Sequence, residues 1–246
     1  MRPVPTALLI LLACLLTPAS LRSAPPVPAE APRGDDLSGY VWNLTDPGFS
    51  PDCLLPLFSS MPIPDKVFER MRGRSYPAGC TVDRSDLRYL ILPHYDGHGH
   101  VRIGEMVANR AIAADLIDIF RQLYLARYPI ERMELIDRYD GDDQRSMAAN
   151  NTSCFNYRRV AGSKKLSRHA FGMAVDLNPL YNPFVRTRGG KQTVEPANGR
   201  PYADRSRSDN PYRITTSDLA YRLFRAHGFK WGGSWRTSKD YQHFQK

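Results

Sequence analysis

Two short segments constrain the fold of this chain more than any other feature: Ser167–Asp176, SRHAFGMAVD, and Asp240–Phe244, DYQHF, at the far end of the sequence. Between them they hold two histidines and two aspartates. Asp176 lies between Val175 and Leu177, an apolar setting in which an ionised carboxylate is costly unless it is paired or bound to a cation. A catalytic zinc centre needs three protein ligands, one open position for water and a base beside it, and the two segments together offer that set. Neither segment is a site alone, so the last residues must fold back onto the middle of the chain.

The local pattern sets how this has to happen. His169 and Asp176 are too widely spaced for successive turns of one helical face, and Gly172 with the β-favouring Val175 predicts a loop running into a strand. Asp240 and His243 have opposite parity, so on a regular strand they would face opposite sides, and a bend before His243 is required if both act at one site. The expected roles are His169, Asp176 and His243 as ligands of one zinc ion and Asp240 as the general base. Arg158 or Arg159, in CFNYRRVAGS, would steady the anionic oxygen of a tetrahedral intermediate or clamp a carboxylate. Ser167, Ser146 and Asn151 are candidate substrate contacts, with turn and loop capping an equal reading for each.

The 246 residues suffice for one well-buried core. The first residues, MRPVPTALLILLACLLTPAS, place one arginine before an apolar run too short to span a bilayer, so 1–24 reads as an export leader cleaved between Ala19 and Ala24. A lipoprotein site at Cys14 is the alternative, and Leu15 and Leu16 directly after it argue against that. Residues 25–36, PPVPAEAPRGDD, read as a disordered tether, and 37–246 as the folded domain. Arg2 and Arg22 leave with the leader, so the remainder carries a net charge of about +7, suited to a polyanionic surface such as a bacterial wall. Nucleic acid is the weaker partner, because the basic residues are scattered and no nucleic-acid motif accompanies them. No second long apolar segment exists, and a monomer is the default expectation. In an oxidising compartment Cys53 is expected to pair with Cys80; Cys154 and the others lack Cys-x-x-Cys spacing and are not read as zinc ligands.

Along the domain, residues up to about Arg84 are rich in proline and glycine, with one short helix around Val67, Phe68 and Met71, and are expected to wrap the core. LRYLILPHY and HVRIGEMVA, joined through an Asp-Gly turn, predict a hairpin. The histidines at that turn, His94, His98 and His100, read as solvated polar groups. Asn109 then caps a helix whose stripe of Ile112, Ala113, Leu116, Ile119, Phe120, Leu123 and Tyr124 is core. RMELIDRY reads as a strand. The polar stretch from Tyr181 to Arg213 reads as a rim or lid, a helix starts at Ser217 and ends at Gly228, and a strand around Tyr241–Phe244 closes the chain. Strands and helices do not alternate as βαβ units, so the expected class is α+β, one small domain with a largely antiparallel sheet packed by helices and the zinc site in a cleft on the sheet.

SRHAFGMAVD and DYQHF also match the S-x-H-x-x-G-x-A-x-D and D-x-x-H signatures of a family. The chain resembles the D-alanyl-D-alanine carboxypeptidase and L-alanyl-D-glutamate endopeptidase family of zinc peptidases, in its extracellular, endopeptidase-like branch, over a core of about 87–246. The resemblance implies His169, Asp176 and His243 as zinc ligands, Asp240 as the catalytic acid-base residue, Arg158 near the scissile carbonyl and peptidoglycan peptides as substrates. It departs from the family where related sequences read F-N-C-R: Tyr157 stands in place of that cysteine, with Cys154 three residues earlier. The function expected is therefore an exported zinc peptidase acting on wall peptides in the periplasm or outside the cell. The alternative is a non-catalytic, zinc-containing module that binds wall peptides or a protein partner.

Overall fold

The computed structural model describes residues 41–46, 49–206 and 209–246. The expected leader and tether, Cys14 among them, and the expected domain start at residue 37 lie outside the described residues. What is described is α+β, and the strands pair antiparallel within each sheet, in line with the largely antiparallel arrangement expected. None of its helices is long and apolar enough to cross a membrane.

The platform is the predicted hairpin, β3 (Leu87–Tyr95) and β4 (His100–Asn109), flanked by β1 (Val41–Asn43) and β2 (Ser59–Met61) in the order β1-β4-β3-β2. Because side chains alternate across a strand, one set of positions, including Leu90, Leu92, Met106 and Ala108, faces one core, and the other set, including Tyr89, Ile91, Ile103 and Val107, faces a second. Both faces are buried. The first core is closed by helix α2 (Arg110–Leu125), and its buried stripe is the seven residues named from periodicity. Asn109 caps it, accepting from the Ala111 N–H at 3.0 Å. The second core is closed by the N-terminal region, which wraps the sheet as expected and includes helix α1 (Asp65–Met71). Glu105, fully buried on that side, is compensated by a two-point pair with Arg70 at 2.9 and 3.0 Å and by the Tyr89 hydroxyl.

The C-terminal half is built from shorter pieces. Helix α3 (Asp143–Ala148) is followed by β5 (Ala174–Asp176), the hairpin β6 (Phe184–Arg188) and β7 (Lys191–Glu195), and helix α4 (Leu219–Ala226). The chain ends with β8 (Lys230–Trp231), β9 (Lys239–Asp240) and β10 (His243–Gln245). Two small sheets result, β5-β10-β8 and β7-β6-β9. Phe224 of α4 stacks on Phe244 of β10 with ring centroids 4.3 Å apart, which ties the final strand to the first core.

Three expectations are corrected. RMELIDRY is not a strand: only an isolated bridge, Arg132 to Asn151, forms, and Ile136–Tyr139 turns as a 3-10 helix. Tertiary contacts override the alternation, since the Met133 carbonyl bonds Glu105 N–H while Ser75 N–H donates to the buried Asp137 carboxylate. Cys53 and Cys80 are not joined, and Cys154 is likewise a thiol. His98 is exposed, but His94 is buried at 3% exposure on β3, where desolvation lowers its pKa to about 4. The segment from Tyr181 to Arg213 contains the β6–β7 hairpin and is anchored by buried Asn182, whose side chain bonds the backbone of Asn178, Tyr212 and Ile214.

Candidate metal centre

Ser167 begins the local structure around the first motif: its hydroxyl accepts from the His169 N–H at 3.3 Å and starts a 3-10 turn, Arg168–Phe171. Gly172 ends that turn with φ +64°, and a β-carbon there would lie 2.6 Å from the Asn109 backbone nitrogen. Only glycine satisfies both the backbone and the space. The Gly172 carbonyl accepts from Asn109 N–H and the Phe171 carbonyl from the Asn109 side chain, so the residue that caps α2 also fixes the loop carrying His169. Strand β5 then presents Asp176, whose backbone exchanges two hydrogen bonds with Ser153.

The second motif bends as its parity required. Asp240 closes β9, Tyr241 and Gln242 form a bend, and His243 opens β10. The Tyr241 carbonyl accepts from the Trp231 indole at 2.9 Å and the Gln242 carbonyl from Leu177 N–H, which hold the bend. His243 and Asp176 are direct register partners, so their side chains share a face.

His169, Asp176 and His243 are all buried, and their ligand atoms lie within 4.8 Å of one another. His169 Nε2 is 3.2 Å from His243 Nδ1 and 3.2 Å from Asp176 Oδ2, and His243 Nδ1 is 3.0 Å from Asp176 Oδ1. Ligands about 2.0 Å from a tetrahedral zinc ion lie about 3.3 Å from each other. The outward ring nitrogens are occupied: His169 Nδ1 donates to the Cys154 carbonyl at 2.6 Å and His243 Nε2 to Gln245 Oε1 at 3.0 Å. Each imidazole therefore turns its lone pair inward, the arrangement that second-sphere acceptors impose on metal-binding histidines. With both imidazoles neutral, two lone pairs and a carboxylate converge without a donor of their own, and a metal ion or a proton resolves that conflict. A proton competes for the same place: burial alone would lower His243, but hydrogen bonding to Asp176 raises it to about 9. Burial would raise Asp176, but the imidazoles of His169 and His243 hold it far below the carboxylate range.

Asp240 adjoins the cluster. A β-carbon on Gly232 would lie 2.7 Å from Asp240 Cβ and 3.3 Å from His243 Cβ, so a glycine at 232 is what lets the two residues crowd one spot. Asp240 Oδ1 is buried and has no hydrogen-bond partner, and burial, assisted by Asp176 and opposed by His243, raises the carboxyl to about 6. Residues 161–246, which contain all four of these side chains, match a family model described as D-alanyl-D-alanine carboxypeptidase. The family is one of zinc peptidases. No curated protein and no solved structure gives a match.

The matched span begins after Arg158. That arginine pairs with Asp143 of α3 at 2.6 Å, its Nε is buried without a partner, and its carbonyl accepts from Ser167 N–H, which sets it beside the first motif. Ser146 and Asn151 are buried and turned inward: the Asn151 side chain bonds the Ser146 hydroxyl at 3.0 Å and both backbone groups of Glu134. Three residues of the centre escaped the sequence reading. Cys154 contributes a carbonyl, which no side-chain pattern reveals, and Gly232 contributes empty space. Gln245 had a signal, since it follows His243 by two and so shares its face.

Proposed function

We propose that this chain is an exported zinc-dependent peptidase that hydrolyses peptidoglycan peptides. The observation that carries the reading is the buried convergence of two inward-facing imidazole lone pairs and the Asp176 carboxylate beside a second carboxylate, Asp240, with an unpartnered oxygen. The match over 161–246 to a peptidase family supports it.

His169 Nε2, His243 Nδ1 and the Asp176 carboxylate would hold one zinc ion, with the Cys154 carbonyl and Gln245 keeping both imidazoles in the ligating tautomer. When bound, zinc lowers the pKa of water and polarises the scissile carbonyl. Asp240 acts as the base: its carboxylate takes the proton of the attacking water and, once protonated, delivers it to the departing amine. Arg158, held by Asp143, offers its guanidinium to the anionic oxygen that develops or to a substrate carboxylate. Ser167 positions His169, and Ser146 and Asn151 support the loop ahead of Arg158. A module that only binds would have no use for a carboxylate with an unpartnered oxygen beside its metal. The segment from Tyr181 borders Asp240 through β6, which makes it the part that selects between a terminal D-alanine and an internal bond.

The test is hydrolysis of purified wall peptides by the full chain. Chelation should abolish cleavage and added zinc restore it, with products identified by mass spectrometry; cleavage that persists after complete metal removal would sink the metal mechanism.

A further inference from the structure

Strand β6 pairs directly with the strand that carries Asp240: Phe184 is the register partner of Asp240, and Val185 of Lys239. Side chains two apart on a strand share a face, so Arg186 and Arg188 follow Phe184 along the face that bears Asp240. Lys191 on β7 is the register partner of Arg188 and joins them on that face. All three cations are exposed, and none has an ion-pair partner among the described residues. Glu195, opposite Phe184 on the same face, is engaged by the Gln144 side chain at 3.2 Å. On the other face Val194 is buried at the base of the hairpin, while Thr187 and Gln192, beside the three cations, are exposed, so the hairpin is anchored at its base and its cationic end projects.

We propose that Arg186, Arg188 and Lys191 form a cationic arm that binds a carboxylate of the peptide substrate at a distance from the scissile bond. The inference rests on the peptidase reading above. Two residues of strand advance about 6.7 Å, so Arg186 and Arg188 stand roughly 7 and 13 Å along the strand from the level of Asp240. An extended peptide covers that distance in two to four residues, at about 3.3 Å each. The substrate class is thus a peptide bearing a free carboxylate two to four residues from the bond that is cut, and arginine's planar fork suits that group.

The test uses a wall pentapeptide ending in D-alanyl-D-alanine with a free carboxylate on its acidic residue, and the same peptide amidated there. Both are measured on the zinc-loaded full chain and on the triple variant Arg186→Gln, Arg188→Gln, Lys191→Gln. Hydrolysis gives kcat and KM; fluorescence anisotropy in an Asp240→Asn background gives Kd without cleavage. The native arm should favour the acid about tenfold in KM and in Kd, equal to about 1.4 kcal/mol. That preference should fall to about one in the triple variant. It should also shrink with added salt in the native chain, a measurement that needs no variant. Hydrolysis with equal KM for acid and amide, or a preference that survives the triple substitution, would overturn the arm and leave the peptidase reading standing. No hydrolysis of either peptide, with the acid still bound more tightly and that preference lost in the variant, would uphold the arm and remove the peptidase reading. A triple variant that loses only its hold on polyanionic wall polymer, with peptide constants unmoved, would also overturn it.

Discussion

Across the β3–β4 hairpin and α2, apolar side chains recur at strand and helix periods and are buried on both faces of one long sheet. Around the metal cluster, strands run two or three residues, and placement depends on single hydrogen bonds: Ser167 to His169, Asn109 to Phe171 and Gly172, Trp231 to Tyr241. The first region is held by area removed from water, a non-directional force that many side chains share. The second is held by directional contacts, each with one donor and one acceptor, and it tolerates polar groups because they converge. The two regions meet where Asn109 caps α2 and holds Phe171 and Gly172 and where Val175, Leu177 and Phe244 enter the first core, so the chemistry of the centre can be removed without unfolding the platform, while damage to the platform tests how far the centre leans on it.

The largest expected effect tests the second half of that contrast. Asp240→Asn keeps the shape and the three proposed ligands but removes the proposed base, so turnover of wall peptides should fall by about 10²–10⁴-fold while zinc stoichiometry and melting temperature stay near native values. A variant that turns over normally would show that the base lies elsewhere. Conversely, Phe120→Ala in the middle of α2 should cost about 3–5 kcal/mol in urea unfolding, through lost burial and the cavity left against Phe224. The fraction that remains folded should still bind zinc, and loss of metal affinity in that fraction would mean the two regions are coupled more tightly than their construction implies.

The smallest effect concerns the hairpin turn, a polar knot inside the platform. Asp96 accepts from His98 N–H, His100 N–H and ring, and Arg102 Nε at 2.7 to 3.2 Å. Burial works to raise its pKa, but these donors prevail and hold it at about 2. A carboxyl lowered in the folded state contributes stability above its unfolded pKa of about 3.9, and that contribution is lost as pH falls through about 2. Asp96→Asn should lower the melting temperature at pH 7 and flatten the decline between roughly pH 4 and pH 2; an unchanged acid profile would show that the knot contributes nothing to folding.

How much of this could be read in advance follows the same division. The hairpin, the Asn109 cap and the seven-residue stripe of α2 were legible because period and capping are local and each position repeats the same message. RMELIDRY misled because its alternation was local too, while the competing partners, Glu105 and Ser75, come from elsewhere in the fold. His94 was misplaced because proximity to a turn in sequence does not determine which face of a strand a side chain occupies. The bend before His243 was legible from parity alone, but the residues that make it were not.

The sequence by itself determined which side chains could form a centre and that its two motifs had to meet, because residue chemistry and spacing are written in the chain. Only the tertiary structure decided which ring nitrogen of each histidine faces inward, that Gly232 leaves room for Asp240 beside His243, and that β6 aligns a row of cations with Asp240. Those outcomes depend on partners far apart in sequence, a carbonyl, an absent side chain and a strand register, none of which has a local signature.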